Sequence, residues 1–240
     1  MDTNIAKRVE KLFSLFKEGK IKRLEVHEVH PELDRASREN YLYFTLPVCI
    51  NFQRSSPAMW RSAFMTYSDP ETNYVFFPEK VLKKSRSVVQ TDLKKHNLAL
   101  QTNKHTDIWL SISRTLHERF HDDPREILRS TDYDILKLLD LFKEHKEWFP
   151  YLSGPKLSNY WPFILSQYTD VKFSNMYEIS IIPDTHVIQS TIKLGLAPKT
   201  VTSLEVVDIW RDLLKKTKIS PVEMHPVLWN WSRANFTPEI

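Results

Sequence analysis

Apolar residues recur at intervals of three and four along most of this chain, and this spacing restricts its fold more than any other property. One such segment runs from Ile5 to Phe16, and another runs from Ile108 to Phe120. Residues at these intervals line one face of an α-helix, whereas the alternation typical of β-strands is scarce. Prolines divide the pattern into lengths that suit ordinary helices. The sequence therefore predicts an all-α fold.

Several helix ends can be located from local chemistry. The segments Thr202–Glu205 and Ser220–Glu223 each place a hydroxyl and a carboxylate three residues apart, which is the pattern of a capping box. Asp184 precedes a run of apolar residues in helical phase and is predicted to be the N-cap of that helix. Gly195 is predicted to end the same helix in a left-handed conformation.

Composition excludes several classes of protein. Only three of the 240 residues are glycine, which argues against glycine-rich phosphate loops and nucleotide-binding α/β folds. The single cysteine, Cys49, lies in an apolar run, so disulfides and cysteine-ligated clusters are excluded and a buried side chain is expected. The balance of 34 Lys and Arg against 30 Asp and Glu gives a formal charge of +4, which permits a polyanionic partner.

Targeting features are also absent from the sequence. No apolar run approaches the length of a membrane span, and the charges near the N-terminus are not those of a secretory signal. We therefore expect an intracellular protein, in the cytoplasm, the nucleoid or a nucleus, with no membrane partner.

One candidate site is the stretch from His117 to His121, which has the spacing of a zinc-protease helix with Glu118 between the two histidines. The helix is expected to stop at Asp122–Pro124, and no third ligand follows in phase. A charged helix end is therefore the favoured interpretation. A zinc-dependent hydrolase that uses His117, Glu118 and His121 stays open as an alternative.

A second candidate is formed by two segments that follow one another along the chain. The first, from Phe149 to Asn159, contains Ser153-Gly154-Pro155-Lys156, and the second reads Ile181-Ile182-Pro183-Asp184-Thr185-His186-Val187. In this order they resemble the signature of the helix-hairpin-helix DNA glycosylase superfamily, in which a hairpin turn precedes a catalytic lysine and a later aspartate begins a helix. Residues 181–184, the helix that follows them and ends at residues 194–196, and residues 209–229 are more similar to the archaeal 8-oxoguanine glycosylases than to endonuclease III.

This resemblance implies a two-lobed helical glycosylase fold with an interlobe cleft. Residues 60–180 would form the lobe that carries the hairpin, and residues 1–59 with 181–240 would form the other, all within one domain of 240 residues. The implied function is a bifunctional glycosylase and abasic-site lyase that removes an oxidised purine such as 8-oxoguanine. The implied partner is double-stranded DNA with a damaged base, bound by a monomer without a metal or cofactor. An oxidised-pyrimidine glycosylase and a non-catalytic helical DNA-binding module are the alternatives.

The resemblance makes Lys156 the nucleophile and Asp184 its carboxylate partner. A lysine that is desolvated can be partly neutral near pH 7 and attack C1′ of an extruded nucleotide, which leaves an imine to the sugar. A carboxylate at a helix N-terminus stays ionised and stabilises positive charge on the sugar.

Residue type and position, together with the resemblance, predict further contacts. The base pocket is predicted to contain Gln53, Trp60, His225 and Trp229. The DNA backbone is predicted to contact Ser153, Gly154, Arg54 and Lys104. Two departures from the family pattern are visible, since Pro155 removes one backbone donor from the hairpin and His225 stands where the archaeal enzymes have an acidic residue.

Overall fold

The chain is almost entirely helical. The computed structural model describes residues 3–22, 29–215 and 217–240, and over these ranges its only β-type pairing is one isolated bridge between Asp134 and Ser174. The predicted all-α fold class is therefore confirmed. The α-helices are α1 (Thr3–Lys17), α2 (Arg38–Tyr43), α3 (Ser56–Ser68), α4 (Pro78–Val81), α5 (Arg86–Lys95), α6 (Thr102–Phe120), α7 (Pro124–Ser130), α8 (Ile135–Glu144), α9 (Leu157–Tyr168), α10 (Thr185–Lys193), α11 (Ser203–Leu214) and α12 (Pro221–Arg233). Short 3-10 helices cover Pro47–Ile50, Asn73–Phe76 and Met176–Glu178.

The helix ends follow the local signals in the sequence. Both predicted capping boxes form at the starts of α11 and α12. Gly195, with φ of 74°, ends the turn after α10 in the left-handed region, where a residue without a side chain is unstrained. None of the described helices combines the length and apolar character needed to cross a membrane.

Internal contacts divide the chain into two compact units. The terminal unit consists of residues 1–25 and 175–240, and the central unit consists of residues 26–174. The sequence predicts that residues up to 59 belong with the terminal segments, but residues 26–59 cluster with the middle of the chain instead. The reason lies in aromatic packing, because Tyr43 and Phe44 on and after α2 pack against Trp60 on α3 with ring centroids 5.8 and 5.3 Å apart.

The core of the central unit is built around large aromatic side chains whose polar atoms are satisfied. The indole nitrogen of Trp109 donates to the carbonyl of Val75 at 2.8 Å, and that of Trp161 donates to the hydroxyl of Thr45 at 3.0 Å. Burial of such rings supplies much of the apolar area of a core, and paired N–H groups avoid the cost of desolvation. These contacts fix α9, which follows the candidate hairpin.

The terminal unit is held together mainly by α10 packed on α12. Trp210 on α11 is fully buried and donates to the hydroxyl of Thr191 on α10 at 2.8 Å. Ser190 on α10 donates to the carbonyl of Leu228 on α12 at 2.8 Å. Because these bonds fix α10 from two sides, they also fix the N-terminal end of α10, where Asp184 lies.

Candidate active site

Lys156 directly follows a tight turn in the central unit. In this turn the amide of Gly154 donates to the carbonyl of Tyr151 at 2.9 Å, and the amide of Ser153 donates to the carbonyl of Phe149 at 2.9 Å. A Cβ at position 154 would lie 3.1 Å from the Tyr151 oxygen, which is closer than most real Cβ contacts, so this position favours glycine. The turn leads into α9, with Lys156 as its N-cap residue.

The amine of Lys156 is anchored by a buried polar network. Lys156 is half-buried, and its Nζ donates to the carbonyl of Asn51 at 3.4 Å. The Asn51 side chain, 1% exposed, donates to the hydroxyl of Ser56 at 3.1 Å. That hydroxyl lies 3.2 Å from the Tyr160 hydroxyl, and Tyr160 is one helical turn after Lys156. These four residues therefore close a ring of hydrogen bonds and helix backbone, which we call the Lys156 ring.

The Lys156 ring has a chemical consequence for the amine. A neutral amine that donates one N–H to a carbonyl keeps its lone pair available for attack on an electrophile. The donor contact also restricts where the amine lies, and fixed geometry is what makes a nucleophile effective. Neither Asn51 nor Tyr160 was singled out from sequence, although the spacing of four residues from Lys156 to Tyr160 was a signal that the two share a helix face.

Three of the residues predicted to meet DNA lie near the loop that follows the first 3-10 helix. Gln53 is exposed, has φ of 51° and accepts a hydrogen bond from the side chain of Gln101 at 2.8 Å. Arg54 donates to the carbonyls of Leu98 at 2.5 Å and Asn97 at 3.2 Å, and burial lowers its pKa to about 10. Two of the Arg54 nitrogens thus bind carbonyls of the turn after α5, and its contact with a DNA phosphate stays a prediction. Lys104 on α6 is exposed.

Trp60 has a different environment from the one predicted for a base pocket. Its ring is 0% exposed and its indole nitrogen donates to the hydroxyl of Tyr160 at 3.1 Å. The ring packs against Tyr43 and Phe44 in the core. Trp60 therefore presents no open face on which a base can stack, and it acts through Tyr160 on the Lys156 ring.

Asp184 is the N-cap of α10, as predicted. Its Oδ1 accepts a hydrogen bond from the amide of Val187 at 2.9 Å, and the residue is half-buried. A carboxylate in this position is stabilised by the free N–H groups and the dipole of the helix. The Asp184 side chain therefore both caps α10 and carries the carboxylate that the predicted chemistry needs.

A histidine that the sequence interpretation left without a role lies beside Asp184. His186 Nδ1 is 3.1 Å from the hydroxyl of Ser232, which donates to Gln189 at 2.9 Å, so the ring is held against α12. Its ring contacts that of Trp229 edge to face at 5.5 Å. Burial lowers the pKa of His186, and the nearby Asp184 carboxylate opposes this shift. The signal for His186 was its place two residues after the predicted aspartate.

The base-pocket candidates Trp229 and His225 both lie on α12 in the terminal unit. Each is half-buried, and they are four residues apart on the helix. Trp229 also has the guanidinium of Arg233 5.1 Å from its ring centroid. The roles of both residues in binding a base stay predictions.

The zinc-hydrolase alternative is not supported by the geometry. Helix α6 ends at Phe120, and His121 is its C-cap in the left-handed conformation, so the two histidines do not lie on one continuous helix. His117 Nδ1 lies 2.9 Å from the carboxylate of Asp122. Across the residues that the structure describes, no group of three or more His, Cys, Asp and Glu side chains is arranged to hold a metal.

One buried histidine in the central unit gives a prediction about stability. His105 on α6 is 1% exposed, and neither ring nitrogen has a hydrogen-bond partner among the described residues. Burial, and then the charges of Arg54 and Lys104, lower its pKa from 6.5 to about 4. Between these values the unfolded chain binds a proton that the folded protein does not, so stability falls as pH falls from 6.5 towards 4.

We expect His105→Phe to reduce this pH dependence. Between pH 7 and pH 4.5 the parent should lose about 2 to 3 kcal/mol more unfolding free energy than the variant, since each pKa unit corresponds to about 1.4 kcal/mol. Urea denaturation at the two pH values measures the difference. Equal losses in both proteins would contradict the prediction.

Comparison with known proteins shows which solved structure has a similar fold. No protein-family model matches the chain, and no curated protein matches it significantly in sequence. The chain has an all-helical fold that it shares with endonuclease III. In particular, it is similar to a solved structure of a trapped endonuclease III–DNA covalent intermediate, an estranged-adenine complex, with a TM-score of 0.61. The match covers 98% of this chain and 88% of that chain at 14% sequence identity, which establishes a shared fold.

Proposed function

We propose that this protein is a DNA glycosylase and abasic-site lyase of base-excision repair, with Lys156 as nucleophile. The observation that carries the proposal is the placement of Lys156 at the start of α9, after a tight turn, with its amine anchored to the Asn51 carbonyl. The fold adds support, because the similar endonuclease III structure is a covalent intermediate with DNA. A lysine amine is the side chain that forms such a bond with a sugar carbonyl carbon.

The proposed reaction begins with an extruded nucleotide. Neutral Lys156 Nζ attacks C1′, and the base leaves with the electron pair of the glycosidic bond and takes up a proton. Loss of the amine proton and opening of the sugar ring give an imine between Nζ and C1′. Removal of a C2′ proton then expels the 3′ phosphate by β-elimination and nicks the strand. Water hydrolyses the imine and regenerates the amine.

Asp184 is proposed to stabilise the positive charge that develops on the sugar as the base leaves. This role requires a carboxylate, and the N-cap position of α10 places the Asp184 carboxylate at the positive end of the helix dipole. Substitutions of Asp184 that keep or remove the helix cap test this role.

The proposed substrate is duplex DNA with an oxidised purine such as 8-oxoguanine, bound by a monomer. The choice of base rests on the resemblance of residues 181–196 and 209–229 to the archaeal enzymes. Trp229 is half-buried with its ring beside His186, so it is available to pack on a base, and Gln53 is exposed with an amide suited to a base edge. Trp60 does not enter this proposal as a stacking residue.

Borohydride trapping tests the function. The purified protein is incubated with duplexes that contain 8-oxoguanine, thymine glycol, an abasic site or no lesion, and adducts are resolved by gel electrophoresis. We expect covalent adducts with the 8-oxoguanine and abasic duplexes. An adduct with thymine glycol instead of 8-oxoguanine would reassign the substrate to oxidised pyrimidines. No adduct on any DNA, from folded protein that binds DNA, would indicate a non-catalytic module.

The Lys156 ring gives a prediction about positioning. Tyr160→Phe removes the hydroxyl bonded to Ser56 and Trp60 but keeps the aromatic ring. We expect the single-turnover rate of adduct formation to fall roughly tenfold, because the contacts that orient the amine weaken by about the net free energy of one hydrogen bond. DNA affinity should stay within about twofold. Tyr41→Phe, which removes a part-buried hydroxyl bond to Asp170 in the segment after α9, is the matched control. Equal rates for the two variants would contradict a positioning role.

A further inference from the structure

An aromatic stack lies next to the turn that carries Lys156. Phe52, from the loop after the first 3-10 helix, and Tyr151, from the turn before α9, have nearly parallel rings with centroids 4.3 Å apart and planes at 13°. The rings of His105 and Phe52 form an edge-to-face contact with centroids 5.0 Å apart. Phe52 thus contacts both the buried His105 and Tyr151, while Tyr151 is 40% exposed. The stack therefore ends in a ring that reaches the solvent.

Lys104 lies beside this stack and does not cover its outer face. Its Nζ is 4.7 Å from the Tyr151 centroid and 5.0 Å from the Phe52 centroid. With the two centroids 4.3 Å apart, the three points form a nearly equilateral triangle. An ammonium above the outer face of Tyr151 would be much farther from Phe52. The structure thus combines a solvent-exposed aromatic ring with a cation at its side.

The backbone of both loops is strained at this place. Tyr151 has φ of 64° and Gln53 has φ of 51°. A bulky residue in the left-handed region costs on the order of 1–3 kcal/mol, and such residues cluster at binding sites. Asparagine or glycine would occupy position 151 with less strain. The strained backbone and the exposed ring are independent features of the same residue.

We propose that the outer face of Tyr151 stacks on an unpaired nucleobase of a DNA strand, and that Lys104 pairs with a phosphate next to that base. The inference rests on the proposed function, because extrusion of a nucleotide disrupts pairing beside the site. Flat aromatic platforms flanked by cations are how proteins bind bases without reading their sequence. Tyr151 lies just before Lys156 in the turn that leads into α9. The base that stacks on Tyr151 therefore belongs to the DNA that this turn binds.

The test measures affinity for duplexes that contain a tetrahydrofuran abasic analogue, which cannot form an imine. Tyr151→Asn removes the ring and suits the left-handed backbone, so the variant should fold at least as well as the parent. We expect it to bind the analogue duplex about tenfold more weakly, with little change for a fully paired duplex. Tyr151→Phe should restore affinity. Tyr177→Asn, at a tyrosine that is 63% exposed in the terminal unit, is the matched control and should bind like the parent.

Two further measurements complete the test. We expect 2-aminopurine opposite the analogue to be quenched by the parent and not by Tyr151→Asn, and Lys104→Ala to lower the slope of log affinity against log salt by about one. Unchanged affinity in Tyr151→Asn, or equal losses for paired and analogue duplexes, would overturn the inference. If the parent shows this Tyr151 dependence but never forms a borohydride adduct, the stacking site stands and the lyase fails. If the adduct forms normally while Tyr151→Asn binds like the parent, only the stacking site fails.

Discussion

Lys156→Gln is expected to abolish the borohydride adduct while leaving DNA binding nearly intact. Glutamine has no nucleophilic lone pair at its side-chain nitrogen, so no imine can form, and we expect the rate to fall by more than about a thousandfold. Glutamine is one atom shorter than lysine, stays polar at this half-buried position and gives up only a weak contact, the 3.4 Å bond from Lys156 to the Asn51 carbonyl. The fold should therefore tolerate the change. Single-turnover trapping and fluorescence anisotropy on abasic duplexes measure the two properties.

Two controls separate nucleophilicity from charge. Lys156→Arg keeps the positive charge but stays protonated, and we expect it to bind DNA normally without forming an adduct. Lys172→Gln removes an exposed lysine from the same unit and should leave the adduct unchanged. Adduct formation that survives in Lys156→Gln would show that another amine is the nucleophile. Loss of the adduct in all three variants would indicate a general effect of charge on DNA binding.

The parts of the structure that could be predicted from sequence depend on neighbours along the chain. The periodicity of apolar residues defines the helices, and caps such as Thr202 and Ser220 act on amides three residues away. Asp184 could be placed at the start of α10 for the same reason. The side chain that accepts such a bond and the amide that donates it lie within one turn, so the pattern in the sequence is sufficient.

The environment of Trp60 and Lys156 could not be predicted in this way, because it depends on residues far apart in the chain. The Lys156 amine meets a carbonyl 105 residues earlier, and the Trp60 indole meets a hydroxyl 100 residues later. No local pattern distinguishes a buried tryptophan with a hydrogen-bond partner from one that lines a pocket. The boundary between the two compact units also depends on residues that are distant in the chain. Tyr43 on α2 packs against Phe76, and residues 26–59 thus belong to the central unit.

Arg54 illustrates the same limit for charged residues. Its residue type suits a phosphate contact, but its guanidinium donates to the carbonyls of Asn97 and Leu98 in the turn after α5. Backbone carbonyl oxygens accept hydrogen bonds from a guanidinium as an external phosphate does. Only the positions of the carbonyls, which the fold determines, decide between these partners.

Asp184→Asn is expected to have the second largest effect, and it separates the catalytic charge from the helix cap. Asparagine caps a helix about as well as aspartate, so the amide of Val187 keeps its acceptor and we expect stability to change by less than about 1 kcal/mol. The carboxylate charge is lost, and we expect adduct formation on 8-oxoguanine duplexes to fall roughly 10²- to 10³-fold. Because the carboxylate opposes the lowering of the His186 pKa, that pKa should fall further in the variant, which NMR titration can measure.

Asp184→Ser and Asp184→Ala complete the comparison. Serine retains a cap without charge and should behave like asparagine in both stability and rate. Alanine removes cap and charge together, so it should share their slow adduct formation and also lose about 1 kcal/mol of unfolding free energy. If only the alanine variant formed the adduct slowly, and the asparagine and serine variants were as fast and as stable as the parent, Asp184 would be a structural cap alone. If all three variants formed the adduct slowly while only the alanine variant lost stability, the lost rate would be due to the carboxylate.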